Sequence, residues 1–285
     1  MATARMTETV ELPQPGYRRI EVTPLNPTIG AEISGIDLTG PLDDEQVAEL
    51  KRAFAENLVI FFRDQPLDFA DHKALANHFG GPHIAASTAP WRVPGHDEVT
   101  IIHADANSTF VAGEDWHSDM SCDAEPPLGS ILYLHTIPDH GGDTVFSNMY
   151  AAYDALSDRM KAHLDGLTAI HDSAVGFGAI TPRDMELPRS SHPVIRTHPV
   201  TGKKAIYVNK GFTTAIEGVP AAESRALLDF LFLHVQQPRF QCRFTWSPHA
   251  IAFWDNRSCQ HVAIWDYFPN TRSGYRIQVL GDRPA

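Results

Sequence analysis

Cysteines, basic clusters and long apolar runs are all scarce in this sequence. The 285 residues include three cysteines, Cys122, Cys242 and Cys259, which are odd in number and widely separated. That usage fits neither a disulfide framework nor a CxxC zinc site, and it predicts small buried thiols. The formal net charge is −12, and no dense Lys/Arg run offers the positive surface that a nucleic-acid backbone or an anionic membrane requires. We therefore expect neither nucleic acid nor membrane as a partner.

Membrane-spanning and targeting segments are also missing. The longest apolar runs, such as residues 58–62, are far too short to cross a bilayer. Residues 1–16 are polar and acidic and lack the apolar core of a secretory signal, which predicts a flexible N-terminal segment and a cytoplasmic protein. The sequence contains no repeat and no Ser/Gly-rich linker, so residues 17–285 are predicted to form a single domain.

The rest of the pattern consists of short strands with a few helices between them. Helical periodicity covers four segments, at residues 43–56, 70–79, 149–165 and 221–235. Short apolar or alternating runs predict nine strands, at residues 58–62, 99–103, 130–135, 167–173, 194–197, 204–209, 240–246, 251–255 and 275–280. Turns rich in Gly, Pro and Asn bound these strands. The sequence therefore predicts a mainly β fold, a sandwich or jelly roll with helices packed outside it.

The first candidate for chemistry is the pair of His117 and Asp119, within the segment Asp115-Trp116-His117-Ser118-Asp119. Residues two apart on an extended segment point the same way, so this segment presents an imidazole and a carboxylate together. Oxygenases hold Fe(II) with two imidazoles and one carboxylate on one octahedral face, which leaves positions for a co-substrate and oxygen. A second histidine must therefore come from elsewhere in the chain.

A longer motif lies near the C-terminus. It runs Trp254-Asp255-Asn256-Arg257-Ser258-Cys259-Gln260-His261 and is followed by Thr271-Arg272-Ser273-Gly274-Tyr275-Arg276. Together with WHSD at 116–119 and GGDT at 141–144, it resembles the taurine/2,4-dichlorophenoxyacetate dioxygenase family of Fe(II)/2-oxoglutarate-dependent oxygenases. The similarity extends over nearly the whole chain, from residue 29 to residue 284. It implies a double-stranded β-helix (jelly roll) core and a homo-oligomer, either a dimer or a tetramer.

The resemblance also implies roles for individual residues. His117, Asp119 and His261 match the iron ligands of the family. Arg272 matches the arginine that binds the distal carboxylate of 2-oxoglutarate, and Thr144 matches the residue whose hydroxyl assists it. A guanidinium suits that role because its fork makes two charge-assisted hydrogen bonds to a carboxylate. The implied cofactor set is Fe(II), the co-substrate 2-oxoglutarate and O₂.

The implied reaction is hydroxylation of a small anionic organic molecule, a taurine-like sulfonate, with release of succinate and CO₂. Arg276 matches the arginine that holds the anionic group of the substrate. Phe177 and Phe212 match aromatic residues that line the substrate pocket of the family. Ordinary core packing is the other interpretation of these two phenylalanines.

Three positions depart from the taurine enzyme of that family. Ala85 stands where that enzyme has a substrate-binding histidine, and Gly113 and Gly176 stand in place of an asparagine and a pocket serine. Since buried hydrogen-bond donors decide which polar substrates bind, these losses disfavour taurine itself. The added space suits a larger or less polar sulfonate, an alkyl sulfate ester or an aryloxyalkanoate.

Two other classes of protein share part of the pattern. Two histidines and a carboxylate also form catalytic zinc sites in hydrolases. A zinc hydrolase, however, would give no role to Thr144 and Arg272, and the sequence has no HExxH motif. A non-catalytic jelly-roll binding protein would not need the complete set of metal ligands. The oxygenase is therefore the preferred interpretation.

Overall fold

The computed structural model describes residues 16–178 and 187–285. The predicted N-terminal segment, residues 1–16, lies outside these ranges except for Gly16. Among the described helices, none is long and apolar enough to cross a membrane.

Six α-helices and seventeen strands form within the two described ranges. The helices are α1 (Asp44–Asn57), α2 (Phe69–His78), α3 (Met149–Asp154), α4 (Asp158–Leu164), α5 (Ala174–Phe177) and α6 (Ala221–Val235). The strands are β1 (Glu21–Pro24), β2 (Ala31–Ser34), β3 (Val59–Phe62), β4 (Pro82–His83), β5 (Arg92–Val93), β6 (His96–Ala104), β7 (Gly129–Thr136), β8 (Thr144–Asn148), β9 (Thr168–Asp172), β10 (Arg189–Pro193), β11 (Ile195–Thr197), β12 (Lys204–Ile206), β13 (Thr213–Ile216), β14 (Gln241–Phe244), β15 (Ala250–Asp255), β16 (Cys259–Ala263) and β17 (Arg272–Val279). Two short 3-10 helices lie at Ala86–Trp91 and Pro238–Phe240.

Two stacked β-sheets enclose the main core. The larger has nine strands, in the order β1-β2-β3-β15-β7-β17-β6-β5 with β4 paired to β17. The three-stranded sheet β14-β8-β16 packs against it, and Phe61 stacks on Phe244 with 4.0 Å between ring centroids. A second three-stranded sheet is formed by β10-β9-β13, and a two-stranded sheet by β11-β12. The two-sheet arrangement confirms the predicted mainly β jelly roll with flanking helices.

Helices α1 and α2 cover the outer face of the larger sheet. Phe54 of α1 stacks on Phe253 of β15 with 4.2 Å between ring centroids. The neighbours of Phe253, Ala252 and Trp254, belong instead to the core between the sheets, because successive side chains of a strand point to opposite faces. Strand β15 is therefore buried on both faces along its whole length.

The predicted single helix at 149–165 is wrong, because the structure divides it into α3 and α4. The break occurs at Ser157, whose hydroxyl accepts a hydrogen bond from Met160 N at 3.2 Å and so caps the start of α4. Leu156 and Leu164, two of the periodic apolar positions, still pack in the same core. The apolar period therefore continues across two short helices. The other three predicted helices agree with α1, α2 and α6 to within one residue at each end.

Candidate metal and co-substrate site

Backbone pairing brings His117 and His261 together. The segment between β6 and β7 meets β16 in an antiparallel bridge, in which His117 N donates to His261 O at 3.1 Å and His261 N donates to His117 O at 2.9 Å. Residues directly opposite in such a pair project on the same side. The two imidazole rings consequently lie 4.1 Å apart between centroids.

Asp119 completes a cluster of three buried potential metal ligands. Its Oδ1 lies 3.3 Å from His117 Nε2 and 3.9 Å from His261 Nε2. One ligand atom from each residue falls within 4.8 Å of the others. Two imidazole nitrogens and one carboxylate oxygen on one side of a cavity are the donor set that non-haem Fe(II) takes. The residues present therefore fit the predicted ferrous ion.

The protonation states at this cluster suit a metal. His117 Nδ1 lies 2.8 Å from Asp115 O, and since a carbonyl oxygen only accepts, Nδ1 is the donor and Nε2 is the nitrogen that faces Asp119. Burial and the neighbouring His117 hold the pKa of His261 well below its usual value, which keeps that imidazole neutral. Burial alone would raise the pKa of Asp119, but Arg276 and the two histidines outweigh it and hold this pKa well below its usual value. The cluster therefore combines the carboxylate of Asp119 with a neutral imidazole at His261.

A hydrogen-bond network fixes the orientation of the Asp119 carboxylate. Its Oδ2 accepts from Ser130 Oγ at 2.5 Å, and Ser130 Oγ in turn accepts from Asn256 Nδ2 at 3.1 Å. Asn256 Oδ1 accepts from Asp119 N at 3.2 Å and from Trp254 Nε1 at 3.0 Å. Because Oδ2 is engaged, Oδ1 is the oxygen that faces the two histidines. Sequence reasoning assigned no role to Ser130 or Asn256.

Arg272 is a buried cation in the same cavity, with only 4% of the residue exposed. Its Nε donates to Gly142 O at 3.0 Å and its Nη2 to Thr144 Oγ1 at 3.4 Å. Within the described ranges it forms no ion pair, and burial lowers its pKa to about 10. Thr144 Oγ1 also accepts from Trp246 Nε1 at 3.1 Å, a contact that the sequence did not predict. A buried guanidinium with no direct ion pair among the described residues suits an anionic ligand such as the carboxylate of 2-oxoglutarate.

The glycines of GGDT have the geometry that the motif predicts. Gly141 and Gly142 have φ angles of 77° and 73°, in the left-handed region that favours glycine. A Cβ on Gly142 would lie 3.2 Å from the Cδ of Arg272. The turn can therefore approach the buried arginine closely.

Arg276 contacts the metal cluster directly. Its Nη1 donates to Asp119 Oδ1 at 2.9 Å. Its Nε is buried and finds no acceptor among the residues that the structure describes. The guanidinium therefore keeps hydrogen-bonding capacity beside the metal cluster.

One cavity of about 590 Å³ unites every site residue predicted from the sequence. The predicted residues that line it are His117, Asp119, Thr144, Phe177, Phe212, His261, Arg272 and Arg276. Phe212 is buried, and its ring centroid lies 6.3 Å from that of His117. The Phe177 ring lies 6.0 Å beyond the Phe212 ring. Both phenylalanines therefore form part of the cavity wall, in addition to packing in the interior.

The three departures from the taurine enzyme have different structural effects. Ala85 is buried in a small apolar cluster that includes Phe212. Gly113 adds no space, contrary to the prediction, because its φ is 90° and a Cβ there would lie 3.0 Å from the Cε1 of His117. At Gly176 an added Cβ would meet only ordinary contacts, at 3.5 and 3.8 Å. Of the two glycines, only Gly176 therefore leaves room that a side chain could fill.

Comparison with known proteins bears on the family of the chain. The model of the family "Taurine catabolism dioxygenase TauD, TfdA family" matches residues 21–278. The chain is 33% identical over 289 residues to an alpha-ketoglutarate-dependent sulfonate dioxygenase of Saccharomyces cerevisiae, covering 94% of this chain and 68% of that protein. It is 31% identical over 285 residues to an alpha-ketoglutarate-dependent sulfate ester dioxygenase of Pseudomonas putida, covering 95% and 93% of the two chains. The crystal structure of a taurine dioxygenase from Burkholderia xenovorans has a TM-score of 0.83 and 38% identity, over 94% of this chain and 91% of that one.

The family match spans most of the chain, including every residue of the metal cluster and both GGDT glycines. Family members depend on Fe(II), 2-oxoglutarate and O₂, which agrees with a His-Asp-His cluster beside a buried arginine. The chain belongs to the taurine catabolism dioxygenase TauD, TfdA family and is a 2-oxoglutarate-dependent dioxygenase.

Proposed function

We propose that His117, Asp119 and His261 hold Fe(II), and that Arg272 binds the distal carboxylate of 2-oxoglutarate with help from Thr144. The observation that carries this assignment is the buried Arg272, without an ion pair in the described residues, in the cavity of the His-Asp-His cluster. When bound, Fe(II) supplies the oxygen chemistry that couples decarboxylation of 2-oxoglutarate to hydroxylation of a C–H bond. The residues of the chain orient both reactants and keep the site largely dry.

We propose further that the primary substrate is a small organic anion, a sulfonate or alternatively an alkyl sulfate ester or aryloxyalkanoate. Relatives named as sulfonate and sulfate ester dioxygenases support this class. So does Arg276, because a cation beside the metal cluster can hold an anionic head group and bring the adjacent carbon to the site of oxidation. The loss of polar groups at Ala85 and Gly176 favours substrates less polar than taurine.

Anaerobic titration tests the metal and co-substrate assignment. Adding Fe(II) and 2-oxoglutarate together should produce a weak visible absorption band, which His117→Ala abolishes. Arg272→Gln should raise the KM for 2-oxoglutarate about 10- to 100-fold, the effect of losing a hydrogen bond to a charged group. Arg243→Gln is the matched control, because Arg243 on β14 is half exposed and pairs with Asp143 outside the cavity lining. A zinc hydrolase would show no such band.

A screen of succinate release across sulfonates, sulfate esters and aryloxyacids tests the substrate class. For the best substrate, Arg276→Ala should raise the KM strongly while substrate-free turnover of 2-oxoglutarate stays largely intact. Arg276→Lys, which keeps the positive charge, should recover part of the affinity. An equal loss of coupled and substrate-free turnover in Arg276→Ala would show that this arginine supports the Asp119 carboxylate instead.

Three further predictions accompany the proposed activity. Residues 17–285 form a single domain, the protein is cytoplasmic, and it assembles as a dimer or tetramer. Light scattering on the purified protein measures the last of these directly.

A further inference from the structure

A line of aromatic rings leads outward from the metal cluster. The ring of Phe212 lies 6.3 Å from that of His117, Phe177 lies 6.0 Å from Phe212, and Trp91 lies 6.2 Å from Phe177. All four residues line the same cavity. Trp91 ends the short helix Ala86–Trp91, and sequence reasoning gave it no role. We call Phe212, Phe177 and Trp91 the aromatic path.

Exposed apolar side chains also line this cavity. Ile101, Phe110 and Val175 are 38%, 44% and 50% exposed, and all three are cavity-lining residues. Single exposed apolar residues are common on proteins, but several around one concave site mark a surface that binds something apolar. Together with the aromatic path they give the cavity apolar walls away from the metal cluster.

Few carboxylates line the cavity in the part of the chain that the structure describes. Among the described lining residues the carboxylates are Glu114, Asp115 and Asp119. Asp119 belongs to the metal cluster, Asp115 pairs with Lys210 at 2.6 Å, and Glu114 is exposed.

We propose that the natural substrate is a sulfate ester or sulfonate with a neutral apolar tail of medium length, and that the tail lies along the aromatic path. Trp91 is then a residue that determines specificity for tail length. The proposal rests on the proposed function for its head group, since Arg276 supplies the cation at the inner end. Apolar walls beyond that cation are complementary to an amphiphilic anion and not to a small zwitterion such as taurine.

A chain-length series tests this proposal. Binding of ethyl, butyl, hexyl and octyl sulfate to the protein loaded with Mn(II) and 2-oxoglutarate is measured by anaerobic calorimetry, and kcat/KM by succinate release with Fe(II). The Kd should fall up to about four-fold for each added methylene that becomes buried. Butyl sulfonate should bind more tightly than its 4-amino derivative.

Two tryptophan variants distinguish a specific effect of the aromatic path from a general effect of lost packing. Trp91→Ala should flatten the dependence on chain length and leave the Kd of ethyl sulfate nearly unchanged. Trp265→Ala is the matched control, because Trp265 is also partly buried and packs on Phe268 at 6.0 Å but lies outside the cavity lining. This control should keep the wild-type dependence on chain length.

The outcomes distinguish this proposal from the one on which it rests. If sulfates bind with the same Kd at every length, the apolar tail is wrong while the anionic substrate class stands. If none binds and Arg276→Ala changes nothing, the proposed substrate class itself is wrong. An equal loss at all lengths in Trp91→Ala would contradict the specificity role. A change in oligomeric mass of Trp91→Ala, with the chain-length dependence intact, would assign the surface to a second copy of the chain and overturn the proposal.

Discussion

The two oxygens of Asp119 have different partners. Oδ2 accepts the hydroxyl of Ser130, which Asn256 holds in place, and Oδ1 faces the two imidazoles. Residues that orient a metal-binding carboxylate in this way affect metal affinity without touching the metal. Neither Ser130 nor Asn256 could be assigned this role from sequence, because one lies within β7 and the other follows β15, and only the folded sheets bring them together.

Ser130→Ala should weaken Fe(II) binding about 10-fold, the lower end of the effect of removing a group that supports a ligand. The physical reason is that Asp119 loses the bond that holds Oδ2 away from the histidines. Anaerobic titration with Co(II), monitored by its visible absorption, measures the change. Ser147→Ala is the control, since that buried serine donates to Val235 O at 2.6 Å and lines no part of the cavity. Equal affinity in both variants would contradict the orienting role.

The second prediction for a single residue concerns His72 and the pH dependence of the stability of the protein. The ring is buried on α2, its Nε2 bonds to Ile131 O at 3.0 Å, and burial lowers its pKa from 6.5 to about 4. Between these values the unfolded chain binds a proton that the folded chain does not, so stability falls as the pH drops from about 6.5 to about 4. The loss amounts to roughly 3 kcal/mol at most.

His72→Gln keeps a donor for Ile131 O and removes the titration. Urea unfolding at several pH values should therefore show a smaller loss of stability in this variant than in the wild type on acidification. The buried His171, whose pKa is lowered to about 3, titrates in both proteins and serves as an internal reference. Parallel curves for the two proteins would show that His72 is not the group responsible.

The turn between β12 and β13 holds the segment that carries His117 and Asp119. Asn209 donates through Nδ2 to Ser121 Oγ at 2.9 Å and accepts through Oδ1 from Phe212 N at 3.0 Å. Gly211 N donates to Trp116 O at 3.1 Å. Backbone and side-chain bonds therefore tie the cavity wall at Phe212 to the segment with the metal ligands.

Gly211→Ala tests how tightly these two segments fit together. An added Cβ would lie 2.7 Å from the Cβ of His117, so one of the segments must shift. We expect Fe(II) affinity to fall at least about 10-fold, as it does when a ligand is displaced from its geometry. Gly176→Ala is the matched control in the same cavity, because its Cβ meets atoms no closer than 3.5 Å. Metal titration of both variants gives the comparison, and equal affinities would contradict it.

At the scale of helices and strands, the sequence predicted the bounds of the helices better than it predicted the strands that carry the site. Helices α1 and α2 have apolar periods and aspartate caps, Asp43 and Asp68, so their bounds were predictable. Strands β8 and β16 were missed because neither shows alternation. β16 is buried almost throughout although it contains two polar residues, Gln260 and His261. Gln260 donates a hydrogen bond to Val208 O, and His261 belongs to the metal cluster. An alternating sequence pattern indicates a strand with one face exposed to solvent. Both of these strands are buried on both faces, so the pattern is absent.

At the scale of the whole molecule, the metal ligands His117, Asp119 and His261 are not part of the apolar core clusters. The core lies between the two stacked sheets and under α1 and α2. We therefore expect the burial of apolar side chains not to depend on metal binding. The strand pattern alone predicted a mainly β fold, a sandwich or jelly roll, and the resemblance implied the jelly roll. The spacing of His117 and Asp119 made that pair a candidate, but the other site residues came from the resemblance, since no local rule connects Asp119 to His261.

Ligand binding should therefore raise the thermal stability without being required for folding. Mn(II) and 2-oxoglutarate should each raise Tm, by mass action that reaches about 2.7 kcal/mol at a ligand concentration 100 times Kd. His117→Ala should lose the increment due to Mn(II). Arg272→Gln should keep that increment and lose the one due to 2-oxoglutarate. A metal-free protein that is unfolded by circular dichroism would contradict the prediction.

The backbone bridge between His117 and His261 has a consequence for synthesis of the protein. His117 and Asp119 precede His261, Arg272 and Arg276 in the chain, so they are synthesised first. A chain that stops before His261 therefore offers only two of the three ligands. Tridentate metal binding requires synthesis to have passed His261 and the backbone bridge to have formed.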